Sequence, residues 1–166
     1  MEEYLSKIKT KSEMKKVVEK AKGEGKKTVF TNGCFDILHQ GHVRYLSEAK
    51  KLGDYLIVGL NSDRSIRNIK GNNRPLMGEG ARAELLAALC FVDGVVIFTE
   101  DDPLAIIKYL HPHILVKGAD WNEDAIIGAE FMKKIGGEVK RISLVPDIST
   151  SNIIRRIIDL NSAQNS

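Results

Sequence analysis

The feature that most restricts the fold is an alternation of short apolar runs with helical-period segments, beginning at Thr28. Val29 and Phe30 read as a short buried strand, closed by the turn residues Asn32 and Gly33. Val43, Leu46, Ala49 and Leu52 then recur at helical spacing, and Gly53-Asp54 turns the chain into Tyr55-Leu-Ile-Val-Gly-Leu60, apolar throughout. A strand without polar alternation belongs inside a parallel sheet, covered by helices on both faces. Strand, helix and strand within about 30 residues is a βαβ unit, whose crossover is right-handed.

The same rhythm continues. Arg82–Leu89 reads as a helix with Leu85, Leu86 and Leu89 inward, followed by a third strand, Val92–Phe98. Pro103–Leu110 is the next helix, with Asp102 and Pro103 suited to an N-cap and first helical position. Ile114–Trp121 is a fourth strand, Ile126–Ile135 a helix closed by Gly136-Gly137, and Val139–Val145 a fifth strand. Asp147–Ser151 opens a terminal helix, Asn152–Leu160, and the polar tail 161–166 is expected to fray. Residues 1–25 form a basic helical lead-in with Met14, Val17, Val18 and Ala21 on its apolar side. The expected architecture is α/β: a Rossmann-like, doubly wound parallel sheet of five strands with helices on both faces. No linker or repeat divides it, so residues 1–166 are read as one domain with its core over 27–160.

Composition excludes several classes. A net charge of +3 with no dense Lys/Arg face outside the lead-in argues against nucleic acid. No apolar run approaches 18 residues and Met1-Glu-Glu-Tyr4 lacks a signal-peptide pattern, so no membrane role and a cytoplasmic location are expected. Cys34 and Cys90 make no disulfide framework, and Cys90, inside Leu89-Cys-Phe-Val92, reads as core.

In an open α/β sheet, ligands bind at the carboxyl edge of the strands. Four polar segments fall there: Gly33–His42, Asn61–Arg74, Lys117–Trp121 and Ser149–Ser151. His39 and His42 sit three residues apart at a loop-to-helix junction with Gly41 between them, a spacing that places both imidazoles on one side. Behind them a helix N-terminus offers unpaired amides to an anion, and Gly33 admits a phosphate to the backbone. Ser149, Thr150 and Ser151 read either as a plain N-cap or as a second anion site. Arg64, Arg67, Lys70 and Arg74 lie on a polar stretch, Arg64–Pro75, that is either a solvated connection or a phosphate-clamping lid. The Gly-Lys-Ser/Thr of a P-loop and a Gly-x-Gly-x-x-Gly after the first strand are both absent.

His39-Gln-Gly-His42, preceded by Asn32-Gly-Cys-Phe-Asp36, resembles the signature of the nucleotidyltransferase superfamily of small cytidylyltransferases and adenylyltransferases. The resemblance runs from about Thr28 to Ile158. Ile148-Ser-Thr-Ser151 is similar to the family's second signature, a helix start that holds the β and γ phosphates. Lys70-Gly71 with Arg74-Pro75 looks like its lysine loop, and Arg82 falls where a helix-start arginine is usual. Val116-Lys-Gly-Ala-Asp-Trp121 resembles the members that transfer AMP to D-glycero-β-D-manno-heptose 1-phosphate, in the stand-alone form without a sugar kinase in front.

The resemblance implies His39, His42 and Lys70 as catalytic residues. It implies nucleotide contacts from Asn32, Gly33, Cys34, Phe35, Gly41, Arg82, Lys117, Gly118, Asp120, Trp121 and the Ser149–Ser151 block. Asp36, Asp63 and Arg74 are weaker candidates for the substrate; Asp36 either fixes its loop or holds metal through water, and Trp121 is either a nucleotide wall or core packing. Expected partners are ATP and a sugar 1-phosphate, with Mg²⁺ bridging phosphates through few protein ligands, in a homodimer or higher homo-oligomer serving lipopolysaccharide core precursor synthesis. Pro146-Asp147 stands where glycerol-3-phosphate and choline-phosphate cytidylyltransferases carry Arg-Thr-Glu-Gly, which counts against CTP. The rivals are a polyol-phosphate cytidylyltransferase, an FAD-synthase-like adenylyltransferase and a non-catalytic nucleotide-binding module.

Overall fold

Two apolar cores lie on opposite faces of one five-stranded parallel sheet in a computed structural model that describes residues 3–119, 126–143 and 148–164. The strands are β1 (Thr28–Gly33), β2 (Tyr55–Asn61), β3 (Gly94–Phe98), β4 (Ile114–Gly118) and β5 (Glu138–Ile142), in the order β3-β2-β1-β4-β5. Successive strand residues alternate between the cores: Val29 and Leu56 enter one, Phe30 and Ile57 the other. Burial on both faces is why these strands read as continuous apolar runs. The helices are α1 (Lys11–Gly23), α2 (Gln40–Lys50), α3 (Asp63–Lys70), α4 (Glu79–Ala88), α5 (Leu104–Leu110), α6 (Ala129–Lys134) and α7 (Thr150–Gln164). Residues of α2 and α4 fill the first core, and those of α1, α5 and α6 the second. This is the expected Rossmann-like architecture.

Several local expectations are corrected. The lead-in is a 3₁₀ turn, Glu3–Lys7, then Ile8 bridging Val95, then α1 behind a Thr10 cap with a reciprocal Glu13 bond. The polar stretch after β2 is not a loop from Arg64: Ser62 Oγ accepts the Ser65 amide at 3.1 Å and starts α3. Only Ser65 and Ile66 of α3 are buried, and its eight residues hold just two apolar side chains, Ile66 and Ile69, so its polar composition hides it as a helix. In α4, Leu86 is buried and Leu89 packs at the core edge, but Leu85 faces solvent at 40% exposure because Ala83 and Ala87 share the inward face. Cys90 is exposed rather than core, since α4 ends at Ala88 and Cys90 lies beyond its C-cap, Leu89. The terminal helix runs to Gln164, past the expected end at Leu160.

Candidate active site

The sheet reverses its winding between β1 and β4, the switch point where open α/β sheets hold ligands. A cleft of about 820 Å³ opens at the carboxyl edge there. It brings together residues of all four predicted segments, from β1 and the α2 start, from α3, from the end of β4 and from the start of α7. Lys117 Nζ reaches across the switch point and donates to Asn32 Oδ1. Burial pushes the Lys117 amine down to about 8.

His39 is the N-cap of α2, and its Nδ1 accepts the Gly41 amide at 3.1 Å. An imidazole that accepts at Nδ1 carries its proton on Nε2, so the tautomer is set by the backbone. The Gly41 amide is thereby occupied by His39 rather than free for a phosphate. A Cβ at position 41 would lie 3.0 Å from His39 Cε1 and 3.1 Å from Nδ1, which is why the residue between the histidines has none. The His39 and His42 rings stack with centroids 3.7 Å apart, and Phe35 braces His42 edge-on at 5.1 Å. The Phe35 ring occupies the space a side chain at Gly33 would take, 3.0 Å from that Cβ position. Burial, then the proximity of His39 and Lys70, pushes His42 down to about 4, and burial lowers His39 as well. Both are neutral at pH 7. His42 Nδ1 is buried without a partner, which leaves Nε2 as the nitrogen able to meet a ligand.

The loop that delivers these histidines has Phe35 at φ 46° and Ile37 at φ 59°. Left-handed backbone at an aromatic and a β-branched residue costs roughly 1–3 kcal/mol each and persists only where the surroundings enforce it. On the facing side, Ser149 Oγ accepts the Asn152 amide at 3.2 Å and so caps α7, while Thr150 Oγ1 donates to Asp36 O at 2.7 Å. Ile148 O lies 3.7 Å from the Cβ position of Gly41, so the α7 and α2 N-termini converge on one cleft.

Lys70, Arg74, Cys34, Phe35, Gly118 and Ser151 all line the cleft, Lys70 from the exposed end of α3. Asp120 and Trp121 lie outside the described residues. Three candidates sit beneath the cleft instead. The Asp36 carboxylate accepts the Leu76 and Met77 amides at 2.9 and 3.0 Å, and Arg74 Nε stands 2.7 Å from it at an angle that makes an ion pair without a hydrogen bond. Arg82, 1% exposed, bonds Asp63, Cys34, Asn61 and Met77 and presents nothing to the cleft; Asp63 is held by Arg82. Sequence reasoning missed the β3–α5 loop, whose Asp101, Asp102 and Pro103 form a wall of the cleft. The carboxyl-edge rule applied to β3, as it was to β1, β2 and β4, points to them.

A cytidylyltransferase-like family model matches residues 30–156, most of the chain and every element from β1 into α7. The chain belongs to the cytidylyltransferase-like family. It is 51% identical over 154 residues to the bifunctional protein HldE of Pelobacter propionicus, covering 93% of this chain and 32% of that protein. Its identity to the bifunctional protein HldE of Campylobacter fetus is 59% over 133 residues, covering 80% of this chain and 28% of that one. The chain thus spans about a third of the length of these curated relatives. A solved structure, the lipopolysaccharide core biosynthesis protein of Thermoplasma volcanium, superposes with a TM-score of 0.61 at 35% identity, covering 73% of this chain and 99% of that one. Family and relatives together support a nucleotidyltransferase. Among the described residues no helix is long and apolar enough to cross a membrane.

Proposed function

We propose that the cleft transfers AMP from ATP to D-glycero-β-D-manno-heptose 1-phosphate, giving ADP-heptose and pyrophosphate for lipopolysaccharide core precursors. The observation that carries the chemistry is the stacked, neutral His39–His42 pair at the point where two helix N-termini converge. An acceptor phosphate oxygen attacks the α-phosphorus in line; the new P–O bond forms as the α–β bridging bond breaks, and pyrophosphate leaves with the electron pair. The acceptor is already anionic, so no strong base is needed. The task left to the protein is orientation and stabilisation of the charge that builds on the α-phosphate and the leaving group. His39 Nε2–H donates to those oxygens, Lys70 clamps from the exposed end of α3, and the α2 and α7 N-termini favour the phosphates electrostatically.

Magnesium enters this reading on the triphosphate. The described residues contain no cluster of three His, Cys, Asp or Glu side chains, and the Asp36 carboxylate is already occupied by two backbone amides, so no resident cage is assigned. Support for ATP and the heptose comes from Val116-Lys-Gly-Ala-Asp-Trp121 and from Pro146-Asp147 in place of Arg-Thr-Glu-Gly. The name of the solved neighbour, a lipopolysaccharide core biosynthesis protein, agrees with a place in lipopolysaccharide synthesis.

The test is pyrophosphate release with the heptose 1-phosphate, comparing ATP with CTP. Release with ATP alone is the expected result. Release only with CTP would overturn the base assignment, and silence with both, from folded protein that binds ATP, would overturn the sugar. A thermal shift decides against a protein that binds no nucleotide, because ATP at 100 Kd adds about 2.7 kcal/mol to stability.

A further inference from the structure

We infer that Arg82 is a positioning residue, which holds the Cys34–Ile37 loop in the shape that sets His39 and His42 against the nucleotide. The argument starts from the two left-handed residues of that loop, Phe35 and Ile37. Each is preceded by a carbonyl that must point in a fixed direction for the kink to exist. Arg82 Nη1 donates to Cys34 O at 2.6 Å, just before Phe35, and Thr150 Oγ1 donates to Asp36 O at 2.7 Å, just before Ile37. Rotation of either peptide toward ordinary backbone angles breaks the bond on its carbonyl. The kinks are therefore enforced from both sides, by α4 and by α7.

Arg82 does more than hold one carbonyl. Its Nη1 also donates to Asn61 O, the last residue of β2, at 2.9 Å, and its Nε to Met77 O at 2.9 Å. The Met77 amide is bound in turn to Asp36 at 3.0 Å, so the peptide groups on both sides of Met77 are fixed relative to the loop. One guanidinium thus ties together the ends of β1 and β2 and the segment after Arg74. A planar fork with five N–H donors can do this, whereas an ammonium on a flexible stem cannot reach three carbonyls at once. Asp63 Oδ1, at 2.6 Å from Nη2, neutralises the buried charge. Four of the five donors are in use and the side chain is fully buried, so Arg82 acts through the loop and not on the nucleotide.

Cys34 supplies a local readout, because it lines the cleft and its own carbonyl is the one Arg82 holds. In a Cys90→Ser background, which removes the exposed thiol, the Cys34 alkylation rate with iodoacetamide reports the loop without any substrate. Two variants guard against misfolding: Arg82→Lys, and Arg82→Gln with Asp63→Asn, which leaves no unpaired buried charge. Leu86→Ala, on the same helix but with an apolar side chain that bonds none of the three carbonyls, controls for lost stability. Both Arg82 variants are expected to alkylate about tenfold faster than the parent while still folded. They are also expected to lose about 10²-fold in kcat, with KM for ATP changed less than about threefold, because a misplacement near 1 Å is enough. Leu86→Ala should lower Tm yet keep the parental alkylation rate and kcat.

Parental alkylation in a folded Arg82 variant would overturn the inference, as would Leu86→Ala matching the losses of the Arg82 variants. The kinetic arm rests on the nucleotidyl-transfer reading; the alkylation arm does not. Absence of pyrophosphate release from the parent would therefore count against the reaction and leave the alkylation rates to judge the loop.

Discussion

Gly41→Ala separates what the histidine loop does for stability from what it does for chemistry. An added Cβ would stand 3.0 Å from His39 Cε1 and 3.1 Å from its Nδ1, against an ordinary carbon contact of about 3.5–4.0 Å. The His39 ring must retreat by several tenths of an ångström. It is stacked on His42 at 3.7 Å, so the displacement disturbs both rings and stretches the bond from the Gly41 amide to Nδ1. Losing that cap costs about 1 kcal/mol, and replacing a helical glycine by alanine returns up to about 1 kcal/mol. The two nearly cancel. Thermal unfolding should show Tm within about 4 °C of the parent for a chain of this size. Turnover should fall about 10- to 100-fold in a pyrophosphate-release assay, because His39 Nε2–H no longer meets the α-phosphate in register. Unchanged kcat would refute the coupling of ring position to catalysis. A loss of more than about 2 kcal/mol would show that the main chain near Ile148 O, 3.7 Å away, takes up the methyl group instead of the ring.

Three further outcomes follow from the same geometry. His42→Ala should stay folded, since Nδ1 has no partner to lose, and drop kcat by about 10²–10³; near-normal turnover would sink the proposed role. The folded pKa of His42 lies near 4, below the ordinary value of 6.5, so the unfolded chain binds more protons between those limits. That contribution to stability is complete above pH 6.5 and is lost as pH falls toward 4, on the order of 3 kcal/mol; acid titration of Tm should show a shallower slope in that window for His42→Ala. Lys117, its amine held near 8 by burial, is a charge placed against stability at neutral pH. Lys117→Met is expected to raise Tm by about 3 °C while lowering turnover, and a fall in Tm would mean that the bond to Asn32 outweighs the burial.

The doubly wound sheet is readable from the chain because both faces of each strand are buried, and burial on both faces leaves continuous apolar runs such as Tyr55–Leu60. His39, Gly41, His42 and the Ser149–Ser151 block are legible for a related reason: they sit next to one another in sequence at a strand-to-helix junction or helix start. Residue type and spacing there carry the chemistry directly. α3 escaped because it is eight residues long and mostly polar, with only Ile66 and Ile69 to mark a helical face and its start set by one cap bond.

What sequence could not assign are roles decided by contacts between distant segments. Arg82, Asp36 and Asp63 look like ligands in a charged motif, yet side-chain bonds to partners as far as 48 positions away turn them into buried ties beneath the cleft. Leu85 looks like core, but the inward face of α4 is already filled by Ala83, Leu86 and Ala87, and Cys90 lies past the end of that helix. The proton on His39 Nε2, by contrast, is a local matter, set by the Gly41 amide two residues on once α2 has formed. The sequence by itself determined the sheet, its ligand edge and which residues could meet a phosphate. Only the packed structure decided which of those side chains face the cleft and which hold it in shape, because a buried charge is occupied by whatever polar groups packing brings within reach.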